Sequence, residues 1–407
     1  MRPIILNLLL LATVSYGCQA QEFDTKRIKE HIKTLADDSF QGRGTGTPGE
    51  KAASTYIESA FKKLKLQPEG DKQTYLQSFP FKRGTHGEGE AGTAFNVVAF
   101  LDNKAPATII IGAHYDHLGM DGQGSSLDAN PQDKIHNGAD DNASGVAGVL
   151  ELARYFSTNN KVEKNNFLFL CFSGEELGLL GSKHFADHLP AEAGTINYMI
   201  NMDMIGRLDP QTKTVIVHGT GTSPVWEPLL KKLEGPDLKI KTDSSGTGPS
   251  DHTSFYLKGL PVLHFFTGAH SDYHKPTDDW EKINLKGEAD VLKLIAQVIE
   301  NLDAEPKLAF LKTKSKMQAG RSSFKVTLGI MPSYASDAEG LKVDGVTEGR
   351  PGFKAGILTG DVIIQMGDFT IKDIQNYMDA LGKFEKGQTV PVKVKRNKET
   401  IDLSVTF

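Results

Sequence analysis

Apolar runs alternate with amphipathic stretches along the middle of the chain, between residues 95 and 303. The apolar runs predict strands at residues 95–101, 108–112, 167–172, 196–205, 214–218 and 261–266. Apolar positions at helical spacing predict helices at residues 143–156, 226–233, 252–257 and 286–302. Continuous apolar strands separated by such helices are typical of a mostly parallel sheet with helices on both faces, so we predict an α/β fold.

Residues 24–66 also carry a helical pattern, which a glycine-rich segment interrupts. This segment, Gln41-Gly-Arg-Gly-Thr-Gly-Thr-Pro-Gly49, has the glycine content of a phosphate-binding loop. It lacks the Gly-Lys-Ser/Thr ending of such loops, and no apolar strand leads into it. We therefore interpret it as a connecting loop.

The amino terminus resembles an export signal. Arg2 precedes an apolar stretch, residues 4–14, that is too short to cross a bilayer. The following Ser15-Tyr16-Gly17-Cys18 resembles a bacterial lipoprotein cleavage site. We expect residues 1–18 to be a signal peptide with Cys18 as the lipid-anchored residue, and secretion without an anchor is the alternative.

The pattern changes after residue 303. Residues 304–320 contain four lysines with little periodicity, which predicts a linker. Short strand-like runs follow at residues 323–328, 341–346, 361–366, 390–395 and 400–407, around a helical stretch at 371–381. We therefore predict a small, mostly β domain over residues 321–407, separate from a first domain over residues 23–303.

Composition narrows the function classes. A length of 407 residues suits two domains, and the formal net charge of −5 without a long basic block argues against a nucleic-acid-binding protein. Apart from Cys18, Cys171 is the only cysteine in the sequence. It lies in an apolar run, so we expect a buried thiol and no internal disulfide.

Five short polar motifs stand at, or just after, the ends of apolar runs. They are Gly112-Ala-His114-Tyr-Asp116, Gly138-Ala-Asp140-Asp141-Asn142, Gly174-Glu175-Glu176, Asn201-Met-Asp203 and Tyr273-His274. Ligands bind outside the carboxyl ends of strands in an open α/β sheet, so we expect the motifs to share one crevice. Two histidines and a surplus of carboxylates form the ligand set of a paired-zinc hydrolase.

Several of these residues also have a structural interpretation. One aspartate of the Asp140-Asp141 pair can cap the helix that follows, and adjacent glutamates are usually a solvated surface pair. Asp203 lies in an apolar segment, where a carboxylate needs a partner such as a metal ion. In a metallohydrolase one of the two glutamates would bind metal while the other acts as general base. We interpret the nearby histidines outside the motifs as ordinary crevice residues: His117, His136, His252 and His270.

The motifs and their order resemble the paired-zinc exopeptidases of the bacterial leucyl aminopeptidase and glutamate carboxypeptidase type, over residues 24–303. The resemblance implies two zinc ions with these ligands: His114 and Asp203 for one, Glu176 and His274 for the other, and Asp141 bridging both. It also implies that Glu175 is the general base for a metal-bridged hydroxide. Asp116 would be the partner of the His114 ring, and Tyr273 a donor to the oxyanion.

Residues 322–407 resemble a PDZ domain of the kind found in bacterial proteases. The resemblance is carried by Leu328-Gly329-Ile330-Met331 and by the glycine-rich segments at 349–352 and 355–363. It implies that the backbone amides of Leu328, Gly329, Ile330 and Met331 bind the carboxylate of a peptide or protein C terminus. The alternative is a packing module whose groove is unused.

We therefore expect a zinc exopeptidase, and first an aminopeptidase that removes N-terminal residues from peptide substrates. A carboxypeptidase or dipeptidase of the same family and a mono-zinc glutaminyl cyclase are the enzymatic alternatives. A peptide-binding protein that relies on the PDZ-like domain is the non-enzymatic one. We expect the protein in the bacterial cell envelope or secreted, with membrane contact only through a lipid on Cys18.

Overall fold

The computed structural model describes residues 23–82, 91–313, 326–332, 340–346, 349–372, 374–397 and 399–407. The predicted signal peptide with Cys18, and the part of the predicted linker at 314–320, lie outside these residues. Among the described helices, none is both long and apolar enough to cross a membrane.

The first unit contains strands and helices in alternation. Its strands are β1 (Gln67–Pro68), β2 (Leu76–Lys82), β3 (Ala91–Leu101), β4 (Ala107–His114), β5 (Gly119–Met120), β6 (Ile135–His136), β7 (Asn166–Phe172), β8 (Thr195–Met202), β9 (Thr214–His218), β10 (Lys239–Asp243) and β11 (Val262–Phe266). Its helices are α1 (Thr25–Leu35), α2 (Pro48–Lys63), α3 (Gly145–Thr158), α4 (Leu180–Asp187), α5 (Trp226–Leu233), α6 (His252–Tyr256) and α7 (Leu285–Leu302). The predicted strands and helices of residues 95–303 are present, with shifted ends. The sequence did not predict helix α4, strands β2 and β10, or the two-residue strands β1, β5 and β6.

The main sheet of this unit has the strand order β1-β3-β7-β4-β8-β11-β9-β10, with β2 paired to β3. The four central strands, β7, β4, β8 and β11, are mutually parallel, as the apolar runs predicted. On either side, β3 runs antiparallel to β7 and β9 runs antiparallel to β11, so the sheet as a whole is mixed. The carboxyl ends of the four parallel strands meet at one edge.

Helices cover both faces of this sheet. In β7, Phe167, Phe169 and Cys171 pack in the cluster that includes α1, α3 and α7, whereas Leu168, Leu170 and Phe172 pack towards α4 and α6. All of these side chains are fully buried, and each apolar one stabilises the fold by about 1.5–3 kcal/mol. Burial raises the pKa of Cys171 far above its usual range, which fits a structural thiol.

The second unit is an antiparallel sheet with two helices. Its elements are β12 (Ile330–Pro332), β13 (Leu341–Val346), α8 (Pro351–Lys354), β14 (Val362–Met366), β15 (Phe369–Thr370), α9 (Ile374–Leu381), β16 (Thr389–Arg396) and β17 (Glu399–Thr406). The strand order is β12-β13-β14-β16-β17, with β15 paired to β14. Its core is a cluster of its own, between Val326 and Val405.

The start of the predicted linker packs on the first unit. The amide of Leu308 donates to Asn197, and the amide of Leu311 donates to the carbonyl of Thr222. Leu308 is buried in the core of the first unit. Residues 308–313 therefore extend the surface of that unit.

Candidate metal centre

The sheet edge brings three of the five motifs together. His114 is the last residue of β4, the Glu175-Glu176 pair follows β7 by two residues, and Asp203 comes directly after β8. Because these strands are neighbours and parallel, the three chain segments leave the sheet side by side. The amide of Asp203 also donates to the carbonyl of Phe265 in β11, which fixes the fourth strand to this edge.

Asp141 lies between two groups of side chains. It belongs to the short π-helical turn Ala139–Ser144, which leads into α3, and it is buried. Its Oδ1 atom lies 3.4 Å from Nε2 of His114, and its Oδ2 atom lies 3.3 Å from Nε2 of His274. One carboxylate thus faces both predicted histidines.

Asp203 and Glu176 complete the two groups. Oδ1 of Asp203 lies 3.4 Å from Nε2 of His114, and Oε2 of Glu176 lies 3.3 Å from Nε2 of His274. The structure therefore brings together all five residues predicted as ligands, in the arrangement His114-Asp203 and Glu176-His274 around Asp141.

Hydrogen bonds orient both histidine rings. Nδ1 of His114 lies 3.1 Å from the main-chain oxygen of Asp116, and Nδ1 of His274 lies 3.1 Å from the main-chain oxygen of Ser125. A carbonyl oxygen only accepts, so each Nδ1 carries the proton and donates it. In the neutral form of each ring, Nε2 is then free of a proton and faces the carboxylates, as a metal ligand requires.

His117 is a functional candidate that the sequence interpretation did not include. Its Nδ1 lies 2.9 Å from Oε1 of Glu176 and 3.7 Å from Oδ2 of Asp141, and the ring is fully buried. It forms a second metal-competent group with Asp141 and Glu176. The available signal was its position, directly after the motif that ends at Asp116.

The donor atoms fit divalent metal. In each of two groups, His114-Asp141-Asp203 and His117-Asp141-Glu176, the potential ligand atoms lie within 4.8 Å of one another. Oδ1 of Asp203 is buried without a hydrogen-bond donor in the described structure, which is costly unless a cation neutralises it. Imidazole and carboxylate ligands together suit a transition metal.

The local charge favours cations as well. Burial disfavours a charged His114 ring, but Asp203 and Glu175 outweigh that effect and raise its pKa well above the usual value. For His274 the same holds, with Glu176 and Asp141 as the main charges. The negative potential that raises both pKa values would equally attract metal ions.

Glu175 stands apart from both ligand groups but lines the same cavity. Its amide donates to Oδ1 of Asp116 at 3.2 Å, and Oδ2 of Asp116 accepts from Thr45 at 2.9 Å. The Asp116 carboxylate thus fixes the Glu175 main chain, while it lies 3.8 Å from the His114 ring. Removal from water raises the pKa of Glu175 well above its usual range, and the charges of Glu176 and Asp251 add to the effect.

A cavity that opens to solvent lies beside these groups. One wall is built from flat rings, since His264 stacks against His218 at a centroid distance of 5.4 Å and against Phe266 at 6.2 Å. Tyr273 also lines the cavity, and its ring stacks on His274 at 3.9 Å. A small organic group can therefore reach the metal-competent carboxylates.

Asp140, the neighbour of Asp141, has structural contacts. Oδ1 of Asp140 accepts from the amide of Gly206 at 2.7 Å, and its Oδ2 lies 3.2 Å from His270. Asp251 precedes α6, which begins at His252 as the sequence predicted. Asp140 thus has a structural position, whereas Asp141 lies at the centre of the site.

In the second unit, the predicted carboxylate-binding segment precedes and enters β12. Leu328 is fully buried and its carbonyl accepts from the amide of Gly352, while Gly329 has a positive φ of 68°. Ile330 and Met331 belong to β12, which pairs with β13. The segment is therefore a tight turn at the end of an edge strand.

Comparisons with known proteins agree with this geometry. Residues 96–299, half of the 407-residue chain, match the model of peptidase family M28. The chain belongs to peptidase family M28. All the predicted ligands, from His114 to His274, fall within the matched residues. Residues 326–407 match the model of the PDZ domain, which confirms the predicted nature of the second unit.

The M28 chain is similar to a curated relative and to solved structures. It is 30% identical to leupeptin-inactivating enzyme 1 of Streptomyces exfoliatus over 261 residues, which are 63% of this chain and 51% of that enzyme. The chain spans about half the length of the curated relatives it matches.

Two solved structures share the fold. A structure described as BSAP, a zinc aminopeptidase from Bacillus subtilis, aligns with a TM-score of 0.53 at 20% identity, covering 70% of this chain and 98% of that one. The glutaminyl cyclase of Bacteroides thetaiotaomicron aligns with a TM-score of 0.55 at 19% identity, covering 69% and 99%. At this identity the likeness establishes the mixed α/β fold.

Proposed function

We propose that this chain is a zinc-dependent exopeptidase that acts first as an aminopeptidase on peptide substrates. The observation that carries the proposal is Asp141, whose two oxygens face two separate histidines within 3.4 Å. Membership of peptidase family M28 supports it, as does the shared fold with a zinc aminopeptidase.

Two zinc ions would occupy the site. His114 and Asp203 would hold one, His274 and Glu176 the other, and Asp141 would bridge them, in keeping with the contacts described above. When bound, the pair would act as Lewis acids that polarise a carbonyl group and lower the pKa of a water molecule. The rest of the chemistry falls to side chains of the chain itself.

Glu175 is the proposed general base. It lines the cavity, it is not part of either ligand group, and its main chain is fixed by Asp116. Its carboxylate would accept a proton from the attacking water and deliver it to the nitrogen of the leaving amine. The hydroxyl of Tyr273, at the same cavity, would donate a hydrogen bond to the carbonyl oxygen as negative charge develops there.

The acidic lining of the cavity favours exopeptidase action at an amino terminus. Four side chains that carry a carboxyl group line it, namely Asp141, Glu175, Glu176 and Asp203. Carboxylates that remain unsatisfied by metal attract the α-ammonium group of a substrate.

A matched pair of substrates tests the proposal. Leucine p-nitroanilide has a free amine, and N-acetyl-leucine p-nitroanilide differs only by the blocking group. We expect release of p-nitroaniline from the first and not the second, loss of that activity with a chelator, and two zinc ions per chain by elemental analysis. Equal cleavage of both substrates, or activity that a chelator does not change, would contradict the aminopeptidase.

Two enzymatic alternatives are separated by related assays. A carboxypeptidase or dipeptidase of the family would cleave N-acetylated peptides or unblocked dipeptides in preference to the anilide. Glutaminyl cyclase activity is favoured by the shared fold with the Bacteroides enzyme, and it would release ammonia from glutaminyl peptides. A zinc content of one ion per chain together with ammonia release would favour the cyclase.

The PDZ unit is proposed to bind the C terminus of a peptide or protein through the turn at Leu328-Gly329-Ile330-Met331. Its match to the PDZ model and its own core support a distinct binding module. A fluorescent peptide with a free carboxyl terminus should bind the full chain, and the same peptide as an amide should not. If this binding exists without any zinc or hydrolysis, the chain is a peptide-binding protein.

We propose further that residues 23–303 and 321–407 are two domains joined by residues 304–320, and that the chain is exported. The separate cores support the first statement, and the apolar stretch before Cys18 supports the second. Fractionation of bacterial cells that express the full sequence, with Cys18→Ser beside it, tests the lipid anchor. Release from the membrane by this substitution is the expected result.

A further inference from the structure

The glycine-rich segment, residues 41–49, packs against the main chain next to the metal centre. Main-chain atoms of Gly44 and His117 form a parallel β-bridge, and the amide of His117 donates to the carbonyl of Arg43 at 3.2 Å. Gly42 approaches so closely that a Cβ atom there would lie 2.4 Å from the carbonyl oxygen of His136. Residue 42 must therefore be glycine for the two main chains to approach so closely. The segment contacts the main chain of the metal centre, which a simple connecting loop need not do.

The side chain of Arg43 is the centre of this contact. It is fully buried, and every hydrogen bond described for its guanidinium goes to a main-chain carbonyl. Nε donates to Tyr115 at 2.8 Å, Nη1 to Asn137 at 2.7 Å and to Leu35 at 2.5 Å, and Nη2 to Gly138 at 2.9 Å. The planar guanidinium of arginine presents five N–H donors in a fixed fork, whereas the ammonium group of lysine presents three donors from a single nitrogen.

These carbonyls belong to the two segments that carry metal-competent side chains. Tyr115 is bonded directly to His114, the last residue of β4. Asn137 and Gly138 precede the turn that carries Asp141. One guanidinium therefore links the segment of His114 to the segment of the proposed bridging carboxylate.

Arg43 also places a charge under the site. Burial lowers its pKa to about 10, and Asp141 and Asp116 oppose that decrease, so the group stays cationic at neutral pH. The hydrogen-bond acceptors of Arg43 are main-chain carbonyls and not carboxylates. Its positive charge is therefore not paired with one carboxylate and balances the acidic cluster as a whole. In the same segment, the hydroxyl of Thr45 donates to the carboxylate of Asp116. Two side chains of the segment, Arg43 and Thr45, therefore bind residues next to the metal centre.

We propose that Arg43 is a positioning residue for the metal centre, which sets the separation of His114 and Asp141 by binding the main chain on both sides. This inference rests on the proposed pair of metal ions. It assigns to the glycine-rich segment a role in metal affinity beyond stabilisation of the fold.

The test measures zinc affinity in full-length protein by competition with a chromogenic chelator, together with thermal unfolding of the zinc-free protein. Arg43→Lys retains a positive charge without the fork, and Arg43→Gln retains a planar donor without the charge. Arg27→Lys is the matched control, because Arg27 also binds across the same unit, to Glu151 in α3 at 3.0 and 3.1 Å, but does not contact the ligand segments.

We expect both Arg43 variants to bind zinc about 10- to 100-fold more weakly than the wild type, the range for groups that orient metal ligands. Their zinc-free unfolding temperature should fall further than that of Arg27→Lys, because buried carbonyls lose their donor, but the zinc-free variants should still fold cooperatively. The zinc affinity of Arg27→Lys should stay unchanged. At saturating zinc, Arg43→Lys should lower kcat more than it changes KM for leucine p-nitroanilide.

The outcomes that overturn the inference are distinct from those that overturn the function. Wild-type zinc affinity in Arg43→Lys and Arg43→Gln would reject the positioning role, as would an equal loss in Arg27→Lys. Failure of both Arg43 variants to fold without zinc would make the residue purely structural and would reject it too. A wild-type protein that binds no zinc would instead reject the proposed function.

Discussion

The two halves of the candidate metal centre are held in different ways. His114 ends β4, which is paired with a parallel strand on each side, and the side chain is 1% exposed. His274 lies in the loop between β11 and α7, has a φ of 55°, and its side chain is 13% exposed. Main-chain hydrogen bonds of the sheet place the first ring, whereas a contact between two loops, at Ser125, places the second.

The difference teaches how this fold divides precision and mobility. Paired central strands open only with global unfolding, but loops open at much lower free energy. The half with His114 and Asp203 is therefore preorganised by the sheet. The half with His274 and Glu176 depends on side-chain contacts, among which the 2.9 Å contact between Nδ1 of His117 and Oε1 of Glu176 is the shortest described for either ligand.

The largest expected effect comes from Glu175, which neither half uses as a ligand. Glu175→Gln removes the proposed proton acceptor while it keeps the size of the side chain. We expect kcat for leucine p-nitroanilide to fall about 10²- to 10⁴-fold, the usual contribution of general acid–base catalysis. Zinc content should stay at the wild-type value, and loss of one ion would show that Glu175 is itself a ligand.

The comparison of the halves is tested directly by removing each histidine. His274→Ala and His114→Ala should each weaken zinc roughly 100-fold or more in its own half, above the range for groups that only orient ligands. The ion that remains in His274→Ala should bind at least tenfold more tightly than the ion that remains in His114→Ala. Calorimetric titration of the zinc-free variants measures both, and equal residual affinities would show that the sheet gives no advantage.

A smaller effect is expected from His117, which supports only the half of the centre that contains His274 and Glu176, called here the loop-borne half. His117→Ala removes the donor to Oε1 of Glu176 and should weaken zinc about tenfold in that half, at the low end for groups that orient ligands. The other half should keep its affinity. His31→Ala is a suitable control, since His31 contacts Tyr56 far along the chain from the ligand motifs, and an equal effect there would exclude a specific role for His117.

The strand-borne half was the easier one to predict from sequence. Apolar runs such as residues 167–172 predicted buried strands, and strand ends in a parallel sheet converge, so the placing of His114, Asp203 and the Glu175-Glu176 pair in one crevice followed from pattern and topology. The choice of Asp141 over Asp140, and of Glu176 over Glu175, needed the family resemblance. In the structure, Asp141 faces both rings.

Other features depended on tertiary contacts that a linear pattern does not encode. The sequence placed His117 among ordinary histidines, because nothing in the pattern shows that the chain turns to bring it against Glu176. Arg43 was likewise hidden in a glycine-rich segment, since its partners are main-chain carbonyls of residues far along the chain. The strands β2 and β10 were missed because their alternating or polar composition lacks a continuous apolar run.

The smallest effect on the site is expected from Glu50, which lies beneath the strand-borne half. It is buried, accepts from the amide of Gly46 at 2.6 Å, and contacts the hydroxyls of Ser173 and Tyr115, which follow β7 and β4. Burial raises its pKa from 4.5 to about 7, more than its hydrogen bonds lower it. Since the folded pKa is the higher one, the stabilising contribution of Glu50 is complete below about pH 4.5 and is lost as the pH rises through about 7.

Glu50→Gln should abolish this pH dependence, because a neutral amide resembles the protonated acid: its oxygen can accept from Gly46, and its nitrogen can donate to Ser173 and Tyr115. Urea unfolding of zinc-free protein should show the wild type losing up to roughly 3 kcal/mol relative to the variant between pH 5 and pH 8. Zinc affinity at pH 7 should stay within about twofold of the wild type, because the paired strands rather than this carboxylate hold His114. A stability difference between variant and wild type that is the same at every pH would contradict the raised pKa of Glu50. Zinc binding that is tenfold weaker would show that Glu50 supports the site, and the paired strands alone would then not explain the more rigid half.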